Sequence, residues 1–134
     1  MESREMILQA INEYLMDKFE YKTPPAHLGL NKSTIDARRK KVDLYLRMIE
    51  FSGGLWDTDT FVIARIGFQE ERKGHGTDFL RFLTNVLPVQ YKYIGIECVN
   101  ENSSQFAERL GFKPHKSDND YIITISDLKS RFQE

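Results

Sequence analysis

Residues 61–80, FVIARIGFQEERKGHGTDFL, run from an apolar segment through a charged turn with two glycines into helical spacing. The apolar segment 61–68 is rich in β-branched residues and is bounded by turn residues, which predicts a strand. Apolar residues between Phe79 and Leu87 predict a helix that Pro88 ends. Free N–H groups and the positive end of the helix dipole would meet at the turn and favour an anion. A plain helix start with solvated charges is the alternative that the glycines alone leave open.

The chain beyond residue 88 predicts a second strand, a second helix and a hairpin. Residues 91–99, YKYIGIECV, alternate as a strand does, and 102–111, NSSQFAERLG, indicate a short helix with capping residues at both ends. Residues 112–126 are typical of a hairpin whose turn is KSDND. Because a helix connects the first two strands, we expect them to pair in parallel.

Residues 1–52 are predicted to be largely helical. An apolar stripe over 6–19 indicates a helix, which the two prolines at 24 and 25 end. Residues 26–34 have the composition of a loop.

A second helix is favoured over the first half of 35–51, with Ser33 or Thr34 as its cap. Residues 42–51 fit a helix and a strand equally, and their assignment stays open. Residues 52–60, which include a glycine pair, have the composition of a turn.

The composition indicates one compact, water-soluble domain of 134 residues. The net charge of −1 argues against general attraction to nucleic acid or to membranes. The lone Cys98 forms no internal disulfide and fits a reducing, cytoplasmic compartment, where it is interpreted as a small buried residue on a strand. The three histidines lack the spacing of metal ligands, so no metal site is predicted.

Two motifs together resemble the GNAT superfamily of N-acetyltransferases. Residues 71–76, ERKGHG, are similar to the family's pyrophosphate loop, [Q/R]-x-x-G-x-[G/A], which follows a strand and begins a helix. Residues 100–112, NENSSQFAERLGF, are similar to the family's next strand–helix segment. The resemblance spans about 61–125. It implies a mixed α/β (α+β) fold with a splayed sheet flanked by helices, a helical N-terminal segment and a C-terminal hairpin.

The resemblance also implies an acetyl-CoA site. Backbone groups of Ile66, Gly67 and Phe68 would pair with the pantetheine arm, and Asn100 would hydrogen-bond to it. The pyrophosphate would be held by the amides of the loop, namely Arg72, Lys73, Gly74, His75, Gly76 and Thr77. The side chain of His75 itself is interpreted as facing solvent.

The sequence departs from the family pattern in three respects. Glu71 occupies the position of the usual Gln or Arg, and Ala107 that of a tyrosine that protonates the departing thiolate. The family's glutamate positions match Gly95 and Thr60, neither of which is a carboxylate. The neighbouring carboxylates, Asp59 and Glu97, are therefore the candidate general bases, with a merely solvated or capping role as the alternative.

The function that the resemblance implies is acetyl transfer from acetyl-CoA to a primary amine of a small molecule, peptide or protein. A CoA-binding module without catalysis is one alternative, and an adaptor for protein or nucleic acid is another. The basic residues 37–41, ARRKK, are interpreted as a solvated helix face, with an acidic partner, nucleic acid or the CoA 3′-phosphate as alternatives. Trp56 is assigned to packing rather than to an acceptor pocket. The acceptor and the oligomeric state, monomer or homodimer, are not determined.

Overall fold

A computed structural model describes residues 2–98 and 100–133. Within these residues the chain forms four helices and one sheet of seven strands. The helices are α1 (Ser3–Phe19), α2 (His75–Val86), α3 (Glu101–Arg109) and α4 (Ile125–Phe132). The strands are β1 (Ala26–Leu28), β2 (Thr34–Arg38), β3 (Val42–Met48), β4 (Thr60–Phe68), β5 (Tyr93–Glu97), β6 (Lys113–Pro114) and β7 (Asp120–Thr124). No helix in this part of the chain is both long and apolar enough to cross a bilayer.

The first four strands form an antiparallel meander, which corrects the largely helical prediction for residues 1–52. Only α1 is as predicted there. The loop predicted over 26–34 contains β1, and the segment assigned to a second helix is β2, so Ser33 and Thr34 cap no helix. Residues 42–48, left open between helix and strand, form β3.

Cross-strand pairing explains this correction. In β2 the side chains of Ile35 and Ala37 are fully buried, whereas Asp36 and Arg38 between them are exposed. This alternation has the period of a strand, but two buried residues in five are too few to exclude a helix from the sequence. The pairing with β3, from Thr34–Arg47 to Arg38–Asp43, is a long-range contact that spacing along one segment does not report.

The sheet through β2 and β3 has one apolar and one polar face. The apolar face belongs to the hydrophobic core, together with the buried stripe of α1 and the buried residues of α2. The opposite face carries polar side chains at alternate positions, including Asp43, Tyr45 and Arg47 on β3. An antiparallel sheet tolerates this arrangement because one face can remain solvated.

Helix α1 also protects the edge of the sheet. Asn12 is buried, its Oδ1 accepts a hydrogen bond from the Ala26 amide at 2.8 Å, and its Nδ2 donates to the Ala26 carbonyl at 3.0 Å. The side chain therefore satisfies the outward backbone groups of β1 as a neighbouring strand would.

The parallel pair predicted from the sequence is present, and it is short. Strands β4 and β5 pair only from Thr60–Tyr93 to Ile63–Ile96. The pairing of β4 with β3 shifts register at this point, because Leu46 faces Ile63 whereas Tyr45 faces Arg65. Ala64 is thus an extra residue, a β-bulge, which bends the strand. Beyond the bulge, β4 follows β3 and separates from β5.

The C-terminal elements largely match the prediction. The helix over 102–111 is α3, and the hairpin over 112–126 is the antiparallel pair β6–β7. The strand predicted over 91–99 corresponds to β5, although its last position, Val99, lies outside the described residues. Helix α4 was not predicted. It begins where the hairpin was expected to end, because Thr124 accepts a hydrogen bond from the Asp127 amide and caps it.

Candidate functional site

A cleft of about 410 Å³ opens where β4 and β5 separate. Its walls are the second half of β4, the loop that leads into α2, the end of β5 and the start of α3. All of the predicted cofactor-binding residues except Lys73 line it, namely Ile66, Gly67, Phe68, Arg72, Gly74, His75, Gly76, Thr77 and Asn100. Two motifs about thirty residues apart in sequence thus meet around one cavity.

One wall of the cleft is a strand edge. Residues 65–68 of β4 pair with β3 on one side, and no pair with β5 follows Ile63 among the described residues. Backbone N–H and C=O groups on that side are therefore free to pair with a ligand. A linear chain with amide groups is the kind of ligand that can extend a strand.

The adjoining wall is the first turn of α2. Gly74 is the N-cap residue, with the left-handed φ of 78°, and no side chain caps the helix. A Cβ at Gly76 would lie 3.1 Å from the Phe106 ring, so α2 and α3 approach each other closely at this glycine. The uncapped amides and the helix dipole make this turn suitable for a phosphate group.

His75 corrects the expectation of a solvent-facing side chain. It is half-buried, with its ring 5.2 Å from that of Phe19 and 5.5 Å from that of Phe68. Its Nδ1 is buried and has no hydrogen-bond partner in the part of the chain described. His75 therefore packs the end of α1 against the loop in addition to lining the cleft.

Asn100 serves first as the cap of α3. Its Oδ1 accepts a hydrogen bond from the Ser103 amide at 2.9 Å, and the Ser103 side chain reaches back to the Asn100 amide. This capping box fixes the position of Asn100 at the cleft. The side-chain amide group that remains can donate to a ligand.

The structure separates the two candidate bases. Glu97 lies at the end of β5 and lines the cleft, whereas Asp59 precedes β4 at the other end of the strand and does not. The Asp59 carbonyl accepts hydrogen bonds from the Lys92 and Tyr93 amides, which indicates a role in strand pairing. Glu97 is thus the only one of the two in reach of a ligand in the cleft.

Both oxygens of the Glu97 carboxylate contact other side chains. Its Oε2 accepts a hydrogen bond from the Trp56 indole at 3.0 Å, and its Oε1 lies 3.5 Å from the Arg47 guanidinium. Only 21% of the Glu97 side-chain surface is exposed. The two contacts hold the carboxylate in one orientation within this largely buried position.

Trp56, which the sequence interpretation assigned to packing, also contacts a residue that lines the cleft. It is almost fully buried, as predicted, but it also covers Gly95 and bonds to Glu97. A Cβ at Gly95 would lie 2.4 Å from the indole, so the family's glutamate position is closed by Trp56. A glycine inside a strand often marks such a close approach, so the sequence could have indicated that another group packs at Gly95, although not that this group is Trp56.

Two further predictions concern Ala107 on α3 and Cys98 near its start. Ala107 is fully buried, and its methyl side chain has no proton to donate at the tyrosine position of the family. Tyr121 is close to the same helix, but its hydroxyl donates to Glu108 at 2.9 Å, and this hydrogen bond raises the pKa of the phenol. Cys98 is buried, as predicted, and burial raises the pKa of its thiol.

Comparison with solved structures identifies several proteins with a similar fold. No protein-family model matches the chain, and no curated protein sequence matches it. AtaTR bound with acetyl-CoA is 16% identical, with a TM-score of 0.56 over 76% of this chain and 74% of the other. KacTA in complex with DNA is 14% identical, with a TM-score of 0.54 over 93% of this chain and 85% of the other.

A third similar structure is AtaT complexed with acetyl-methionyl-tRNAfMet. It is 15% identical to the chain, with a TM-score of 0.56 over 76% of this chain and 77% of the other. Two of these three structures contain nucleic acid, DNA in one and tRNA in the other. The antiparallel meander, the short parallel pair and the splayed gap give this chain a GNAT-like fold, which these structures share.

Proposed function

We propose that the chain is an acetyltransferase that uses acetyl-CoA as donor and an amine as acceptor. One observation carries the proposal: the free edge of β4 leads directly to the uncapped first turn of α2 within a single cleft. The strand edge suits an amide-bearing arm, and the helix start suits a pyrophosphate. Acetyl-CoA has both groups in this order. The structural neighbours, one of them bound with acetyl-CoA, support the same donor.

The residues that would hold the donor follow from their positions. Ile66, Gly67 and Phe68 offer backbone groups to the arm, and Asn100 offers its side-chain amide. The pyrophosphate would lie at the amides of the loop that begins with Arg72 and ends with Thr77. Acetyl-CoA, when bound, supplies an activated acyl group as a thioester.

Glu97 is the group to which we assign proton removal. An amine that accepts an acyl group loses a proton from its nitrogen, and a carboxylate at the cleft can take that proton directly or through water. Arg65 and Glu97 both line the cleft, and both belong to strands that diverge there. The acceptor would therefore approach between them. Ala107 provides no proton donor, so solvent would protonate the departing thiolate.

A CoA-binding protein without catalysis is the second candidate. It is favoured by Ala107 and by the indole over Gly95, since both replace groups that the resemblance links to chemistry. Glu97→Gln separates the two candidates. If the chain is an enzyme, this variant binds acetyl-CoA as the wild type does but releases thiol from it at least about ten-fold more slowly with an active amine. The amines tested should include free amino acids, peptides and aminoacyl-tRNA, given the tRNA-bound neighbour.

Donor binding is tested with two glycine variants. Gly74 and Gly53 both have a left-handed φ, of 78° and 99°, and a Cβ at either position would contact nothing within 4 Å. Valine strains both positions similarly, but only Gly74 lines the cleft. By calorimetry we expect Gly74→Val to weaken acetyl-CoA binding at least about ten-fold, because φ > 0 is unfavourable for a β-branched residue. Gly53→Val should bind as the wild type does.

Two results would contradict the donor assignment. One is a wild-type protein whose melting temperature and calorimetric signal do not respond to millimolar acetyl-CoA. The other is equal binding by Gly74→Val and Gly53→Val, which would mean that the ligand lies away from the α2 turn.

A further inference from the structure

The basic segment over 37–41, interpreted as a helix face, is in fact the end of β2 and the turn between β2 and β3. Val42 at the start of β3 pairs with Phe68 at the end of β4, and the Gln69 amide donates to the Lys41 carbonyl at 3.0 Å. The turn therefore lies directly beside the loop that leads into α2. The sequence places these two segments thirty residues apart, and the hairpin brings them together.

Further contacts fix the turn in this position. The Lys41 ammonium donates to the Phe19 carbonyl at the end of α1 at 3.2 Å, where a cation also interacts favourably with the helix dipole. The Arg39 guanidinium lies 5.4 Å from the ring centre of Tyr21. Phe19 in turn packs against His75, which lines the cleft. The turn and the cleft thus share a packed boundary.

We define the basic rim as Arg39 and Lys40 of the turn with Arg72 and Lys73 of the loop. All four residues are exposed, and among the described residues none of them has a carboxylate within ion-pair distance. The charges that oppose the rim are Glu70 and Glu71, which line the cleft. Four cations without a carboxylate partner in the described part of the chain give this side of the cleft a positive potential, which can attract a further anionic group.

We propose that the basic rim binds the ribose 3′-phosphate of CoA and so selects CoA over its 3′-dephospho form. This inference rests on the proposed function. The α2 turn can hold one pyrophosphate, which leaves the separate phosphate monoester of the cofactor without a partner at the helix. A dianionic monoester is the group best matched to several exposed cations. The rim also offsets the repulsion from Glu71, which stands where the family has Gln or Arg.

The test compares acetyl-CoA with 3′-dephospho-acetyl-CoA by calorimetry in three proteins. Lys40→Glu reverses one exposed charge of the rim, and Lys129→Glu makes the same change at an exposed position on α4. We expect the wild type and Lys129→Glu to prefer acetyl-CoA by about five-fold, as for a partly screened ion pair. Lys40→Glu should bring the two affinities within about two-fold of each other, with the loss confined to acetyl-CoA. Arg39→Gln, as a second variant, should reduce the preference in the same direction.

Several results would overturn the inference while leaving the donor assignment intact. They are equal wild-type affinity for the two ligands, equal weakening of both by Lys40→Glu, and the same effect from Lys129→Glu. Salt-dependent binding of a single-stranded oligonucleotide that Lys40→Glu abolishes, with the cofactor preference unchanged, would assign the turn to nucleic acid instead. If the wild type binds neither ligand, the proposed function fails together with this inference.

Discussion

Gly95 and Trp56 form the contact on which the orientation of Glu97 depends. The indole occupies the space that any side chain at position 95 would need, and its N–H bonds to the Glu97 carboxylate. The ring also stacks on His115 at 4.9 Å with an interplanar angle of 14°. Trp56 therefore connects the loop before β4, the β6–β7 hairpin and the cleft. A sequence pattern identifies each of these residues singly, but not the contact between them.

Gly95→Ala tests this contact. The added Cβ would lie 2.4 Å from the indole, so the ring must move. We expect a loss of about 1–3 kcal/mol in the free energy of unfolding, as for overpacking elsewhere. Gly54→Ala is the matched control, since its Cβ would meet nothing within 4 Å. Urea unfolding of both variants measures the difference.

The double variant Gly95→Ala/Trp56→Phe identifies the cause of the loss. A smaller ring relieves the collision, so the double variant should lose less than the sum of the two single variants. Strict additivity, or equal stability of Gly95→Ala and Gly54→Ala, would mean that Trp56 does not lie against Gly95 in solution.

Among the elements, α1 holds the first turn of α2 through one carboxylate. Asp78 Oδ2 accepts hydrogen bonds from the Tyr14 hydroxyl at 2.6 Å and the Lys18 ammonium at 2.8 Å, and Arg81 lies 3.5 Å from its Oδ1. The hydrogen bond from Lys18, followed by that from Tyr14, lowers the pKa of Asp78. Burial raises the pKa of Tyr14, which therefore remains a donor at neutral pH.

Asp78→Asn is expected to destabilise the protein in a pH-dependent way. Because the folded state lowers the pKa of Asp78, the ionised carboxylate stabilises the fold above the ordinary aspartate pKa of about 4 and loses this effect as the pH falls below it. At pH 7 the variant should lose about 0.5–1 kcal/mol, since the carboxylate is partly exposed and screened. Thermal unfolding of the wild type and of Asp78→Asn at a series of pH values from about 3 to about 7 measures this trend.

Asp127→Asn is the control for the helix dipole. Asp127 also lies in a first helical turn, that of α4, and forms no ion pair among the described residues. It should lose only a few tenths of a kcal/mol, about the value of a solvated carboxylate near a helix start. An equal loss in both variants at pH 7 would assign the Asp78 effect to the dipole rather than to α1.

Elements with a strong local pattern could be predicted from the sequence, and those defined by pairing could not. The strand at 61–68 and the helix after it were correct because β-branched residues, glycine and proline mark their ends. The helix predicted over the first half of 35–51 was wrong, because the five residues of β2 are a strand through their pairing with β3. Helix α4 was missed because its cap, Thr124, is also the last residue of a strand.

The features of the candidate site also divide into those that local sequence predicts and those that depend on strand pairing. The motifs over 71–76 and 100–112 located the cleft walls, because amides at a helix start and a capping asparagine follow from local sequence. The bulge at Ala64, which separates the strands, left no signal, since it is a mismatch between two strands. Asp59, the other candidate base, lies away from the cleft. Proximity in sequence to position 60 does not tell which end of β4 lies at the cleft.

At the scale of the whole molecule, the gap divides the sheet into two parts. Strands β1–β4 lie on one side and β5, β7 and β6 on the other, joined by four residue pairs between β4 and β5. Helices α2 and α3 meet over the gap at Gly76 and Phe106. A ligand that pairs with β4 would continue the interrupted sheet. Its binding should therefore change the hydrogen bonding of backbone amides as well as the contacts of side chains.

Amide hydrogen exchange tests this whole-molecule expectation. We expect saturating acetyl-CoA to slow exchange at alternate amides of residues 64–68, because those on the gap side gain a hydrogen-bond acceptor. Amides at 60–63 already lie within the paired sheet and should respond only through global stabilisation, which mass action gives to every amide that exchanges by complete unfolding. The informative quantity is therefore the excess protection of 64–68 over 60–63. Equal protection of the two segments would mean that the ligand stabilises the fold without extending β4, and the strand edge would then have no part in binding.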